Sequence, residues 1–171
     1  MESDGAFRRL ARRGRASLPS PAKTFGGAVL WGLLMSLSAL FGLWLRDWQT
    51  ASHYLPVALV FAAGGVIAFP LALFSARLFG LGRRHEAAFA ATFIAFAVFT
   101  IGFTALAFAI LYRSYYAEWH APAFTITWIF QLVFTTASAI GQFAVLGTRL
   151  YFPLGFVALG AISAWIAMKM R

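Results

Sequence analysis

Five apolar runs follow one another along the chain, separated by short polar stretches. They cover Thr24 to Leu45, about Leu55 to Ala76, about Ala87 to Leu111, about Phe124 to Leu146 and Leu150 to Met168. No Asp, Glu, Lys, Arg or His interrupts any of them. A helix needs about 20 apolar residues to cross roughly 30 Å of hydrocarbon. Four runs meet that length, and the fifth is the shortest. The pattern predicts an all-α integral membrane protein, a bundle of five transmembrane helices. Four spans plus a re-entrant segment is the alternative, with the last run failing to cross.

The boundaries carry local signals. Trp44 and Trp48 mark the end of the first run, where indole rings prefer the interface. Pro56 suits the first turn of the second helix. Pro70 lies inside that helix and is expected to kink it. Gly64-Gly65 offers a close backbone approach. Ala87, Ala91 and Ala95 repeat at the four-residue spacing that lets membrane helices pack tightly. The stretch from Tyr112 to Pro122 is dense in Tyr and Trp, as an interfacial belt should be. Gly147-Thr148-Arg149 reads as a tight connection between the last two spans.

Composition strengthens this picture. Hydrophobic residues make up 61% of 171 and charged residues 11%, against about 45–50% and 25% in soluble domains. A soluble fold of this size would lack the charge to keep its surface in water. With no cysteine, neither a disulfide framework nor a thiolate ligand is available.

The net charge of +9 reads as an orientation signal. Six of the fourteen basic residues fall within the first 23 positions. That segment, residues 1–23, is expected to form a basic cytoplasmic arm, with residues 24–171 as the transmembrane helical domain. Arg8, Arg9, Arg12, Arg13 and Arg15 would rest on anionic lipid headgroups, at about 1 kcal/mol each. Nucleic acid is not expected as a partner, because only Phe7 interleaves the basic run. The apolar run that follows is too long for a signal-peptide core and no clean cleavage site comes after it, so an uncleaved first span is expected. With the N-terminus inside and five spans, ten basic residues lie on the inner side. Arg46, Arg113, Lys169 and Arg171 lie on the outer side. The excess favours a cytoplasmic N-terminus. The Arg bias and short loops suggest a bacterial inner membrane.

Candidate chemistry is sparse. Thr127, Gln131, Thr135, Ser138 and Gln142 step by three or four along the fourth run and share one helix face. Two glutamines in hydrocarbon need partners, so this face is expected to meet protein or water. It forms either an interhelical hydrogen-bond seam or the wall of a polar passage. Thr100 and Thr104 on the third run could answer it. His53 and His120 fall at the outer boundary near Asp47 and Glu118, without the spacing of a metal motif. No metal, haem or other cofactor is expected. No carboxylate lies within a span, which argues against an ion-coupled pump acting alone. The serines at Ser36, Ser38, Ser75, Ser138 and Ser163 lack a nucleophile-elbow context and read as helix-packing residues.

The function expected from these features is a structural or accessory membrane protein that packs with itself or with other membrane subunits. A small permease or channel component is the alternative, with the fourth-span face lining a passage. A membrane enzyme acting on a lipid is the second alternative, and an enzyme is the less expected outcome.

Overall fold

The computed structural model describes Ser17, residues 19–48 and residues 54–170. Arg8, Arg9, Arg12, Arg13 and Arg15 of the expected arm lie outside the described residues, as does His53. All regular structure among the described residues is helical. Helix α1 spans Pro21–Leu45, α2 Tyr54–Gly80, α3 His85–Tyr116, α4 Ile126–Gln142 and α5 Leu154–Lys169. A single 3-10 turn, Ala117–Trp119, extends α3. Between α4 and α5 the chain passes through a π turn, Phe143–Gly147, and a 3-10 turn, Thr148–Tyr151.

Four helical paths are long and apolar enough to cross a membrane: Pro21–Leu45, Tyr54–Gly80, His85–Trp119 and Ile126–Tyr151. Leu154–Lys169, at 16 residues, is shorter and rises only about 24 Å. The expectation of an all-helical chain is met among the described residues, with four paths long and apolar enough to cross a membrane and one shorter helix where five spans were expected.

Helix α1 begins three residues before the expected Thr24, so the boundary drawn between arm and bundle falls inside it. Pro21 occupies the first helical position, where its fixed φ fits and its missing N–H leaves no bond unmade. The Thr24 hydroxyl and amide both donate to Ser20 O, at 2.9 and 3.0 Å. Helix α2 continues without interruption through Pro70. Gly82, at φ +71°, makes the tight turn into α3, a conformation that a side chain would strain.

Helices α1, α2 and α3 form the core. Small residues set their spacing. A Cβ on Gly32 would stand 2.8 Å from Ala62 O, and one on Gly64 would stand 2.6 Å from Thr104 Cα. Trp31, Phe69 and Phe96 fill the centre. Phe96 makes T-shaped contacts with both other rings, at 5.3 and 5.5 Å between centroids. Without a hydrophobic force between helices in lipid, such close packing is what holds them together.

The ends of the bundle can be followed through the contacts. Gly27 meets Phe69 and Gly32 meets Val66, so α1 and α2 are antiparallel and α1 begins where α2 ends. Helix α3 leaves from that same end. At the opposite end α4 starts, with Arg113 over the Trp128 ring at 5.5 Å. The chain then returns to the first end. Gly82 N donates to Met170 O at 3.5 Å, and Met170 Sδ lies 2.9 Å from where a Gly80 Cβ would stand. Helix α4, the two turns and α5 together therefore make one traverse of the bundle, broken level with Ser38 and Gly42 of α1. Helix α5 packs on α3 and α1, whereas α4 has α3 as its one substantial neighbour among the other long helices.

Candidate functional site

Buried polar side chains from α1 and α3 meet the break in the last traverse. Pro153 has no N–H and precedes α5, and the Phe152–Pro153 peptide is cis. Backbone groups released by a break in hydrocarbon must find partners within the protein. Ser38 of α1 supplies two. Its hydroxyl donates to Leu150 O at 3.0 Å and accepts from Gly155 N at 2.9 Å. One buried serine thus bridges both sides of the interruption. The approach is close because Gly42 sits one turn on. A Cβ there would stand 3.2 Å from Leu150 Cα.

A second set of bonds ties the break to α3. The Tyr151 hydroxyl donates to Thr104 Oγ1 at 2.8 Å, and the Thr104 hydroxyl donates to Thr100 O at 2.7 Å. Trp31 Nε1 donates to Thr100 Oγ1 at 3.0 Å. Thr92 and Ser163 return their protons to their own helices, at 2.8 and 2.6 Å. Among the described residues, no buried side-chain polar atom is left without a partner. Thr100 and Thr104 therefore serve Trp31 and Tyr151 and not the α4 face.

The α4 face is placed differently from the break. Gln131 Oε1 accepts from Ala121 N at 2.8 Å, Thr135 Oγ1 lies 3.4 Å from His120 Nε2, and Gln142 Nε2 donates to Tyr112 OH at 3.2 Å. Three of the five positions thus meet the C-terminal end of α3 and the segment following it. Thr127 and Ser138 are exposed. Thr125 caps the helix, its hydroxyl accepting from Trp128 N at 3.2 Å.

Two cavities flank the break. One of about 110 Å³ is lined by Trp31, Met35, Thr100, Tyr151, Gly155 and Leu159, among others. The other, about 360 Å³, lies between Leu43, Trp48, Phe61, Phe108 and Phe143, and Gln142 reaches it. Neither contains a charged side chain, so both suit hydrocarbon rather than an ion. His120 stands beside Thr135, and no group of three His, Asp or Glu side chains gathers among the described residues.

Arg149 needs a correction. The sequence reading placed it in an inner loop between two spans. It lies in the 3-10 turn next to Leu150, level with Ser38 and Gly42 toward the far end of α1, and it is exposed. Sequence reasoning took Ser38 for packing and passed over Tyr151. The signal that could have found them is Pro153, three residues into a run drawn as continuous.

No family model, curated protein or solved structure matches the chain.

Proposed function

We propose that this is a small structural or accessory protein of the cytoplasmic membrane, crossing it four times and packing with itself or with other membrane subunits. Both ends of the described chain then face the cytoplasm. The last crossing is the discontinuous path of α4 and α5. Charge supports this arrangement. Arg8, Arg9, Arg12, Arg13, Arg15, Lys23, Arg77, Arg83, Arg84, Lys169 and Arg171 fall on the inner side, and Arg46, Arg113 and Arg149 on the outer. This is a steeper bias than five crossings give, in the direction the positive-inside rule favours. A bacterial inner membrane suits that bias.

The observation that carries the packing role is α4. Ala139 is the one residue it buries between Ile126 and Gln142. Ile126, Ile129, Phe130, Val133 and Phe134 are all at least half exposed. Thr135 stands beside His120, past the ends of α1 and α2, so this apolar face continues beyond the level where those helices cover α3. The hydrogen-bonded α4 face turns toward the end of α3 and the segment following it, which favours a seam over a passage.

The absence of cysteine makes the test direct. Single cysteines at Ile129 and Phe134 are compared with controls at Leu37 and Ile94, which are similarly exposed on α1 and α3. Oxidative crosslinking in native membranes should join the α4 positions to a second copy or to another subunit, and leave the controls monomeric. Equal crosslinking at all four sites, or none at any, contradicts the proposal.

A further inference from the structure

The larger cavity beside the break, of about 360 Å³, is closed at one end and open at the other. Phe61, Phe143 and Leu150 line its depth and are buried. Trp48, Leu111 and Gln142 also line it and are exposed. Its mouth therefore lies where α1 and α3 finish, and its blind end lies toward the break. The π turn shapes the inner wall. A Cβ on Gly147 would collide with the Phe143 ring. Glycine there leaves that ring free to lie against Phe61 and Phe108, at 5.9 and 6.1 Å between centroids. Protein interiors hold few voids larger than a water molecule. An apolar space of several hundred Å³ with a few polar groups at one end is the usual form of a small-ligand pocket.

Its chemistry selects the guest. Of the lining residues, Trp48 and Gln142 alone have polar side chains, and both stand at the mouth. The indole is a donor only, and the carboxamide carries two N–H groups. Gln142 Nε2 gives one of them to Tyr112 OH at 3.2 Å. The mouth thus offers N–H groups to an oxygen acceptor. No charged side chain lines the pocket. Arg46 lies over the Trp48 ring at 5.7 Å, and its guanidinium is held by Gly42 O at 3.0 Å. An uncharged polar end suits such a mouth. At about 30 Å³ for each water-sized group, the cavity takes roughly twelve of them, the bulk of one acyl chain and not of two.

We infer that this pocket holds the single acyl chain of a glycerolipid with an uncharged headgroup. The ester carbonyl meets Gln142 and Trp48, and the chain runs inward toward Phe61 and Leu150. The site needs the π turn seated against α1 and α2, and not the exposed face of α4, so this inference and the packing role can each fail alone.

The full-length chain has no cysteine. One is placed at Leu111, in the mouth, or at Ile110, which is exposed at the same level and lies outside the pocket. Each variant is embedded in phosphatidylcholine bilayers and alkylated with N-ethylmaleimide. Monolaurin, an uncharged monoacylglycerol, should slow labelling of Leu111→Cys roughly tenfold at saturation and leave Ile110→Cys unchanged. Dodecane, which lacks the carbonyl, and lauroyl lysophosphatidylglycerol, which is charged, should protect far less. Adding Gln142→Leu should raise the monolaurin concentration for half-protection roughly fivefold, the worth of one hydrogen bond. Adding Val57→Phe narrows the pocket from a half-buried position and should abolish protection. Equal protection of both cysteines, or of neither, overturns the inference. So does protection by dodecane or by the charged lipid as strong as that by monolaurin. Protection by decylubiquinone in place of monolaurin would make the occupant a ring and also overturn it. Protection that neither Gln142→Leu nor Val57→Phe alters would place the lipid elsewhere, with the same consequence.

Discussion

Helices α2 and α4 are made of the same kinds of residue and sit in the bundle in opposite ways. Helix α2 buries ten residues, from Val60 to Gly80, and lies against both α1 and α3. Helix α4 buries only Ala139 and leans on α3. Apolar length alone does not separate them, since both belong to paths apolar enough to cross a membrane. Small residues do. Gly64, Gly65, Ala68, Ala72 and Ala76 give α2 a face that neighbours can approach to backbone contact. The equivalent face of α4 carries Gln131, Thr135 and Gln142, whose longer or polar side chains meet the end of α3 by hydrogen bonds. In lipid, where apolar surface alone drives no association, small side chains decide which helix is core and which is a flank.

Substitutions on the two helices should therefore differ in effect. The largest loss is expected on α2. Gly64→Leu must displace Thr104 at its backbone, and overpacking of this kind costs about 1–3 kcal/mol or more. Thermal unfolding in detergent should show a collapsed Tm or no folded protein. A Gly64→Leu variant that melts with the wild type would remove the basis of the contrast. Next comes the break. Ser38→Ala takes away the partner of both Leu150 O and Gly155 N, and each unsatisfied group costs about 1–3 kcal/mol. Hydrogen exchange should accelerate at Gly155, while α2 keeps its protection. Tyr151→Phe removes one bond and should lower stability by about 0.6 kcal/mol, the average for such bonds in membranes. Gln131→Leu on α4 should cost about as little and leave insertion unchanged. Its unfolding curve should nearly overlay the wild type, and a loss as large as that of Ser38→Ala would make α4 core after all.

Much of this was legible in the sequence, for a physical reason. Uncharged apolar runs have one stable state in a bilayer, so α1, α2 and α3 follow from Thr24–Leu45, Leu55–Ala76 and Ala87–Leu111 with ends extended by a few residues. The helix ends moved outward because Pro21, Arg77 and the Tyr112–Tyr116 stretch are compatible with helix though not with hydrocarbon. The last traverse was harder. A path of two helices and a path of two spans have the same apolar pattern, and hydropathy cannot say whether Leu154–Lys169 turns back or carries on. That depends on Ser38, more than a hundred residues away, satisfying the backbone on both sides of Pro153. The α4 face shows the complementary limit. Its periodicity marked Gln131, Thr135 and Gln142 as one surface. Their partners are Ala121 N, His120 and Tyr112, in a boundary stretch whose geometry no periodic pattern encodes.

The central claim is that α4 and α5 make one crossing between them. A reporter fused after Arg171, active on only one side of the membrane, tests it most directly. Four crossings place that reporter in the cytoplasm, on the side of Arg83 and Arg84. A signal from the outer side would mean that α4 and α5 each cross, and it would contradict the account.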